Sequence, residues 1–140
     1  MPAFELNTAR SVEHPFFGLS TFARGYVEAM FFTNGDTGEE DESLLNNLGV
    51  EKLTHAAVAT IQRDCEAFQQ GQEARLYRLY NTHDYGDDQA GRDFWFTRQG
   101  HGVGFSDRDL PSTDAEALEE AARGFRESCV EVSRRRIHVR

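Results

Sequence analysis

The stretch DFWFTRQGHGVGFSDRD, residues 93–109, decides how this chain is read. Phe94 and Phe96 alternate with Trp95 and Thr97, and Val103 and Phe105 alternate with Gly102 and Gly104, a period of two that predicts a pair of strands. Between them Gln99-Gly100 resembles the Asn-Gly turn of a β-hairpin, with the glycine accepting positive φ. In that register Phe96 faces Val103 and Phe94 faces Phe105, so one face is apolar. On the other face Trp95 lies beside Gly104, where an indole can cover exposed backbone. The aromatics and glycines are thereby assigned to folding. The polar remainder, Arg98 and His101 at the hairpin tip with Asp107 and Asp109 just beyond it, is a candidate anion or carboxylate site, with a plain surface pair as the simpler reading.

Upstream, Leu19, Phe22, Tyr26 and Met30 recur at steps of three and four and predict an amphipathic helix over 16–32, ending at TNGDTG. Leu53, Ala57, Ile61, Cys65 and Phe68 predict a second helix over 50–70, in which Cys65 is a small buried hydrophobe. Gly71 breaks that pattern, EARLYRLYN adds a helical turn or two, and THDYGDDQAG reads as a loop. Downstream, Thr113 and Glu116 have capping-box spacing at the head of a helix over 112–127. The end alternates Val130, Val132, Ile137 and Val139, two short strands turning near Arg134-Arg135. The fold expected is a single α+β domain, three helices packed on a small antiparallel sheet built from two β-hairpins.

The 140 residues carry 39% hydrophobic and 28% charged residues, the composition of an ordinary globular domain, and no apolar run approaches the roughly 20 residues that cross a bilayer. The start, MPAFELNTARSVEHPFF, lacks the apolar block of a signal peptide, so the expected location is the cytoplasm, with Cys65 and Cys129 as separate thiols. Net charge is −9, and residues 1–70 hold 11 acids against 4 basic residues. Such a field repels nucleic-acid backbones and favours basic protein surfaces. The acids gather in Asp36, Glu39, Glu40, Asp41 and Glu42, and again in Asp84, Asp87 and Asp88.

Chemical motifs are sparse. Gly100, Gly102 and Gly104 are spaced GxGxG, with Phe105 where a dinucleotide loop needs glycine, and no Walker pattern occurs. His83, Asp84, Asp87, Asp88, Asp93, His101, Asp107 and Asp109 supply metal-binding atoms, yet none falls into HExxH, an EF-hand or paired CxxC, so neither a metal nor another cofactor is expected. Ser106 lacks the GxSxG elbow. Nucleic-acid binding would rest on Arg134, Arg135, Arg136 and Arg140, a weak footprint against an acidic whole.

The run AGRDFWFTRQGHGVGFSDRD, residues 90–109, resembles the motif A-G-x-D-F-W-x-T-R-x-G-H-G-x-G-F-x-D of small bacteriophage and prophage proteins. The resemblance extends more loosely to GYVEAMFF (25–32), to RDCEAF (63–68) and to a closing strand pair after a short helix. Two departures stand out. Ser106 replaces an aromatic, and SRRR replaces an acidic, glycine-containing turn near the end of the motif's relatives. The resemblance implies a phage or mobile-element origin and brings no catalytic residues.

Together these readings give an expected function. The protein binds host machinery through its acidic residues, inhibiting a nucleic-acid-targeting defence system such as CRISPR or restriction, with a basic host protein as partner and neither nucleic acid nor membrane contacted directly. Two alternatives are a metal- or anion-dependent enzyme using Arg98, His101, Asp107 and Asp109, and an oligomeric assembly protein, as small as a homodimer, with Trp95 or Tyr80 at its interface.

Overall fold

A computed structural model describes residues 14–34 and 49–140. Five α-helices and one two-stranded antiparallel sheet are found among them: α1 (Thr21–Asn34), α2 (His55–Gly71), α3 (Glu73–Thr82), α4 (Asp87–Arg98), α5 (Ser112–Arg123), β1 (Val130–Ser133) and β2 (Arg136–Val139). The α+β class holds. The arrangement of three helices on two hairpins does not, because residues 87–98 are helical.

Local chemistry sets the helix starts. The Ser20 hydroxyl accepts from the amide of Ala23 ahead of α1, and the Thr54 hydroxyl accepts from Ala57 ahead of α2. The second helix therefore begins at His55, later than its apolar stripe suggests. Residues 50–52 form a 3₁₀ turn, and Leu53 and Thr54 are drawn into a short parallel contact with Ile137 of β2, where the Thr54 amide donates to the Ile137 carbonyl at 3.0 Å. Gly71 ends α2, and Gln72 joins it to α3.

The predicted capping box at Thr113 and Glu116 is not formed, since both side chains are exposed and α5 starts at Ser112 without a side-chain cap. What fastens this end is Asp114, which is buried and accepts hydrogen bonds from Arg75 at 3.1 Å and from both terminal nitrogens of Arg78 at 2.6 and 3.0 Å. This places two guanidiniums around one carboxylate in the first turn of α5, where the helix dipole also favours negative charge.

The core runs through all five helices and the sheet. Its centre is aromatic: Phe68 stacks on Phe94 with ring centroids 4.3 Å apart, Phe105 extends the stack, and Trp95 meets Tyr26 edge-on at 5.2 Å. Such contacts add about 0.5–1.5 kcal/mol per pair beyond area burial. Helix α4 lies along α1 at very close range, because a Cβ on Gly91 would collide with the Phe22 carbonyl and one on Gly25 with the Asp88 carbonyl. Trp95 is fully buried and its Nε1 donates to Thr33 on α1 at 2.7 Å, so it is not available to an interface. Cys65 is buried, Cys129 is exposed, and both are free thiols.

The closing hairpin turns at Arg134-Arg135 with Val130 opposite Val139 and Val132 opposite Ile137 on the core side. Both turn residues are left-handed, at φ 53° and 60°, a conformation costing roughly 1–2 kcal/mol for a residue with a side chain.

Candidate functional site

The motif-bearing segment shows why residues 93–109 do not make a hairpin. Helix α4 buries Ala90, Gly91, Asp93, Phe94, Trp95, Thr97 and Arg98, a helical stripe in which the charged members, Asp93 and Arg98, have partners on other segments. Its end is a Schellman cap: Gly100, at φ 76°, donates to Thr97 at 3.1 Å, and His101 donates to the Phe96 carbonyl at 3.0 Å. The hydrophobic contact that accompanies this cap is supplied by His101, whose exposed ring meets Phe96 edge-on at 6.2 Å. Gln99-Gly100 is thus a helix terminus. The chain then crosses Gly104, at φ 145° with the Thr97 hydroxyl filling the space a Cβ would take, and enters a 3₁₀ turn at Phe105–Asp107.

Arg98 is the central correction. It is buried, and its guanidinium donates to the Arg126 carbonyl at 2.8 Å, the Phe125 carbonyl at 3.0 Å, the Tyr26 hydroxyl at 3.0 Å and Asp64 at 3.1 Å. The rings of Phe94 and Phe125 lie against it, each centroid 5.5 Å from Cζ. Burial, ahead of any charge effect, pushes the Tyr26 phenol well above its ordinary range, so it stays a neutral hydroxyl in this cluster. No surface tip pair exists. Arg98 is committed inward, while His101, Asp107 and Asp109 are exposed on the segment beyond it.

A second buried cluster surrounds Asp93. This fully buried carboxylate accepts from the Tyr85 hydroxyl at 2.8 Å, from Gln89 at 3.0 Å and from Arg108 in a fork at 2.9–3.1 Å. Burial first, and then the neighbouring Asp93 charge, raises the Tyr85 phenol far above its usual range and keeps it a donor. Arg108, Tyr85, Asp64, Arg75 and Arg78 are not among the expected site residues, and Asp114 reads in the sequence only as an acid suited to the positive end of a helix. Their signal lies in pairings between segments far apart in the chain, which no local pattern displays.

The consequence for the surface is a sorting of charge. Arg92 pairs with Glu28 at 2.8 Å and with Asp88 at 3.4 Å, so Arg75, Arg78, Arg92, Arg98 and Arg108 are all engaged by carboxylates of the fold. Asp84, just before α4, and Asp87, its first residue, are exposed and take part in no ion pair among the described residues, with Asp88 exposed next to Asp87, so the expected loop over THDYGDDQAG holds only up to Gly86. Asp36, Glu39, Glu40, Asp41 and Glu42 lie outside the described residues. No group of three or more His, Cys, Asp or Glu side chains suited to a metal ion is present among the described residues, and no helix among them is long and apolar enough to cross a membrane.

Comparison with protein-family models, curated proteins and solved structures finds no match for this chain.

Proposed function

We propose that this chain is an acidic accessory protein of a phage or mobile element that binds a basic surface on a host protein, and that the host protein belongs to a nucleic-acid-targeting defence system. The observation that carries the reading is the sorting of charge: five arginines are tied to carboxylates of the fold, while Asp84 and Asp87 stand exposed and unpaired among the described residues beside Asp88. A basic groove would find Asp84 and Asp87 without having to break ion pairs, and complementary charge gives fast, salt-sensitive association. The resemblance of residues 90–109 to phage proteins supplies the setting. The enzyme alternative loses support because Arg98 is saturated by internal acceptors.

The test compares the wild-type chain with Asp84→Asn/Asp87→Asn/Asp88→Asn as baits in lysate of the native host, with quantitative mass spectrometry of what each retains. The expected result is a basic nucleic-acid-binding protein held by the wild type, lost with the triple variant and lost near 0.5 M salt, where the Debye length falls to about 4 Å. Once purified, that protein should lose nucleic-acid binding when mixed with the wild-type chain. Equal retention by both baits would overturn the proposal.

A further inference from the structure

We infer that the C-terminal hairpin is a second binding element, of opposite charge, that seats on the phosphate backbone of duplex nucleic acid. The inference stands independently of the acidic surface, and it revises the expectation that nucleic acid is not contacted. That expectation came from the charge of the whole chain, which averages over a strong segregation. Residues 123–140 hold six arginines against two glutamates, whereas the rest of the chain is acidic.

The fold gathers this charge on one ribbon. With Val130, Val132, Ile137 and Val139 turned to the core, strand alternation puts Glu131, Ser133, Arg136 and His138 on the outer face, and the Arg134-Arg135 turn projects at the tip. Glu131, the one acid on that face, is paired with Arg140 at 3.3 Å. Arg134, Arg135 and Arg136 are exposed and make no ion pair or side-chain hydrogen bond among the described residues. Beyond a Debye length of about 8 Å at physiological salt, acids elsewhere on the surface are screened from them.

Two features favour a polyanion backbone over a protein partner. The outer face carries no exposed aromatic or aliphatic anchor, the kind of residue that supplies binding energy at protein interfaces; the exposed large hydrophobics Phe32, Tyr77 and Val103 lie on other segments. The same lack of aromatics removes the stacking platform that single strands require, which leaves duplex. A two-stranded ribbon is also a shape the major groove admits. The turn itself points the same way. Asn-Gly would satisfy its left-handed geometry without strain, yet two arginines occupy it, at φ 53° and 60°.

The test is fluorescence anisotropy of a labelled duplex of about 20 base pairs titrated with the full chain at several salt concentrations. Three phosphate contacts give a log–log slope of about −2.7, an affinity loss of roughly 40-fold between about 50 and 200 mM salt. Arg134→Asn/Arg135→Gly supplies the residues this turn favours, so the melting temperature should hold or rise while duplex affinity at low salt drops at least about tenfold and the slope shrinks by about 2. Arg134→Lys/Arg135→Lys should keep the slope. A wild-type chain that leaves duplex unbound, or an Asn/Gly variant that binds like wild type, overturns the inference. So does a salt-sensitive dimer by light scattering that the Asn/Gly variant dissolves, because the tip would then be seated on the acidic face of a second copy.

Discussion

Arg98 Nε lies 2.8 Å from the carbonyl of Arg126, a residue at φ 62° whose strained backbone turns that carbonyl toward the guanidinium alongside the carbonyl of Phe125. One side chain at the end of α4 therefore fixes the segment that follows α5 and, through Tyr26 and Asp64, ties it to α1 and α2.

Arg98→Lys keeps the charge but cannot reproduce a planar fork that reaches four acceptors. The expected loss is about 3 kcal/mol, in the range for breaking a buried pair, and Arg98→Ala should cost more. Urea denaturation measures both; a change under about 1 kcal/mol for the lysine variant would show that the cluster is not holding the fold.

Gly91 and Gly71 should respond in opposite ways to alanine. A Cβ at Gly91 meets the Phe22 carbonyl and would push α1 and α4 apart, an overpacking that costs about 3 kcal/mol or more. A Cβ at Gly71 meets nothing within 4 Å, and alanine there should stabilise the end of α2 by about 0.5–1 kcal/mol. Thermal melting of the two single variants checks the signs.

Removing Arg108 should leave the Asp93 charge buried with only Tyr85 and Gln89 as donors. Arg108→Ala is expected to cost about 3 kcal/mol, the lower end for a broken buried pair because the arginine is itself partly exposed. The double variant Asp93→Asn/Arg108→Met should be less damaging than Arg108→Ala alone, since it leaves no unpaired charge. A double variant worse than the single would contradict this.

Asp114 gives stability a defined pH dependence. Hydrogen bonds from Arg78 hold its carboxyl below the ordinary range, with burial opposing and Arg75 assisting. A carboxyl depressed in the folded state contributes stability that is complete above its unfolded value, about 3.9, and that is lost as pH falls through the lower folded value. Wild-type stability should therefore decline below about pH 4 more steeply than that of Asp114→Asn, which is weaker at neutral pH. Parallel pH profiles from denaturant midpoints would contradict the assignment.

Helices α1 and α2 and the closing hairpin were legible because their buried faces are apolar and follow one period, and α5 was legible from its apolar stripe although Asp114 is also buried in it, whereas α3 showed only as a helical turn or two. Helix α4 was not, because Asp93, Thr97 and Arg98 occupy its buried stripe and look like exposed residues to any pattern. With them counted as polar, the surviving aromatics Phe94 and Phe96 showed a period of two. Gly100 compounded the error, since positive φ serves a helix cap as well as a hairpin. Of the candidate site, the exposure of Asp84, Asp87 and Asp88 was legible from their polar surroundings, though Asp87 and Asp88 open a helix where a loop is expected, whereas the inward commitment of Arg98 was not, because its acceptors are backbone carbonyls and side chains remote in the chain.

The contact between Leu53 and Ile137 bears on the order of folding. The segment that starts α2 rests on a strand synthesised much later, and closing so long a loop is slow compared with forming a helix. As the chain emerges from the ribosome, the helices can assemble around their aromatic centre while the start of α2 waits for β2 to arrive. The Thr54 amide, which donates to the Ile137 carbonyl, should accordingly gain protection late in a pulse-labelled refolding experiment, together with those of the hairpin and after the middle of α2.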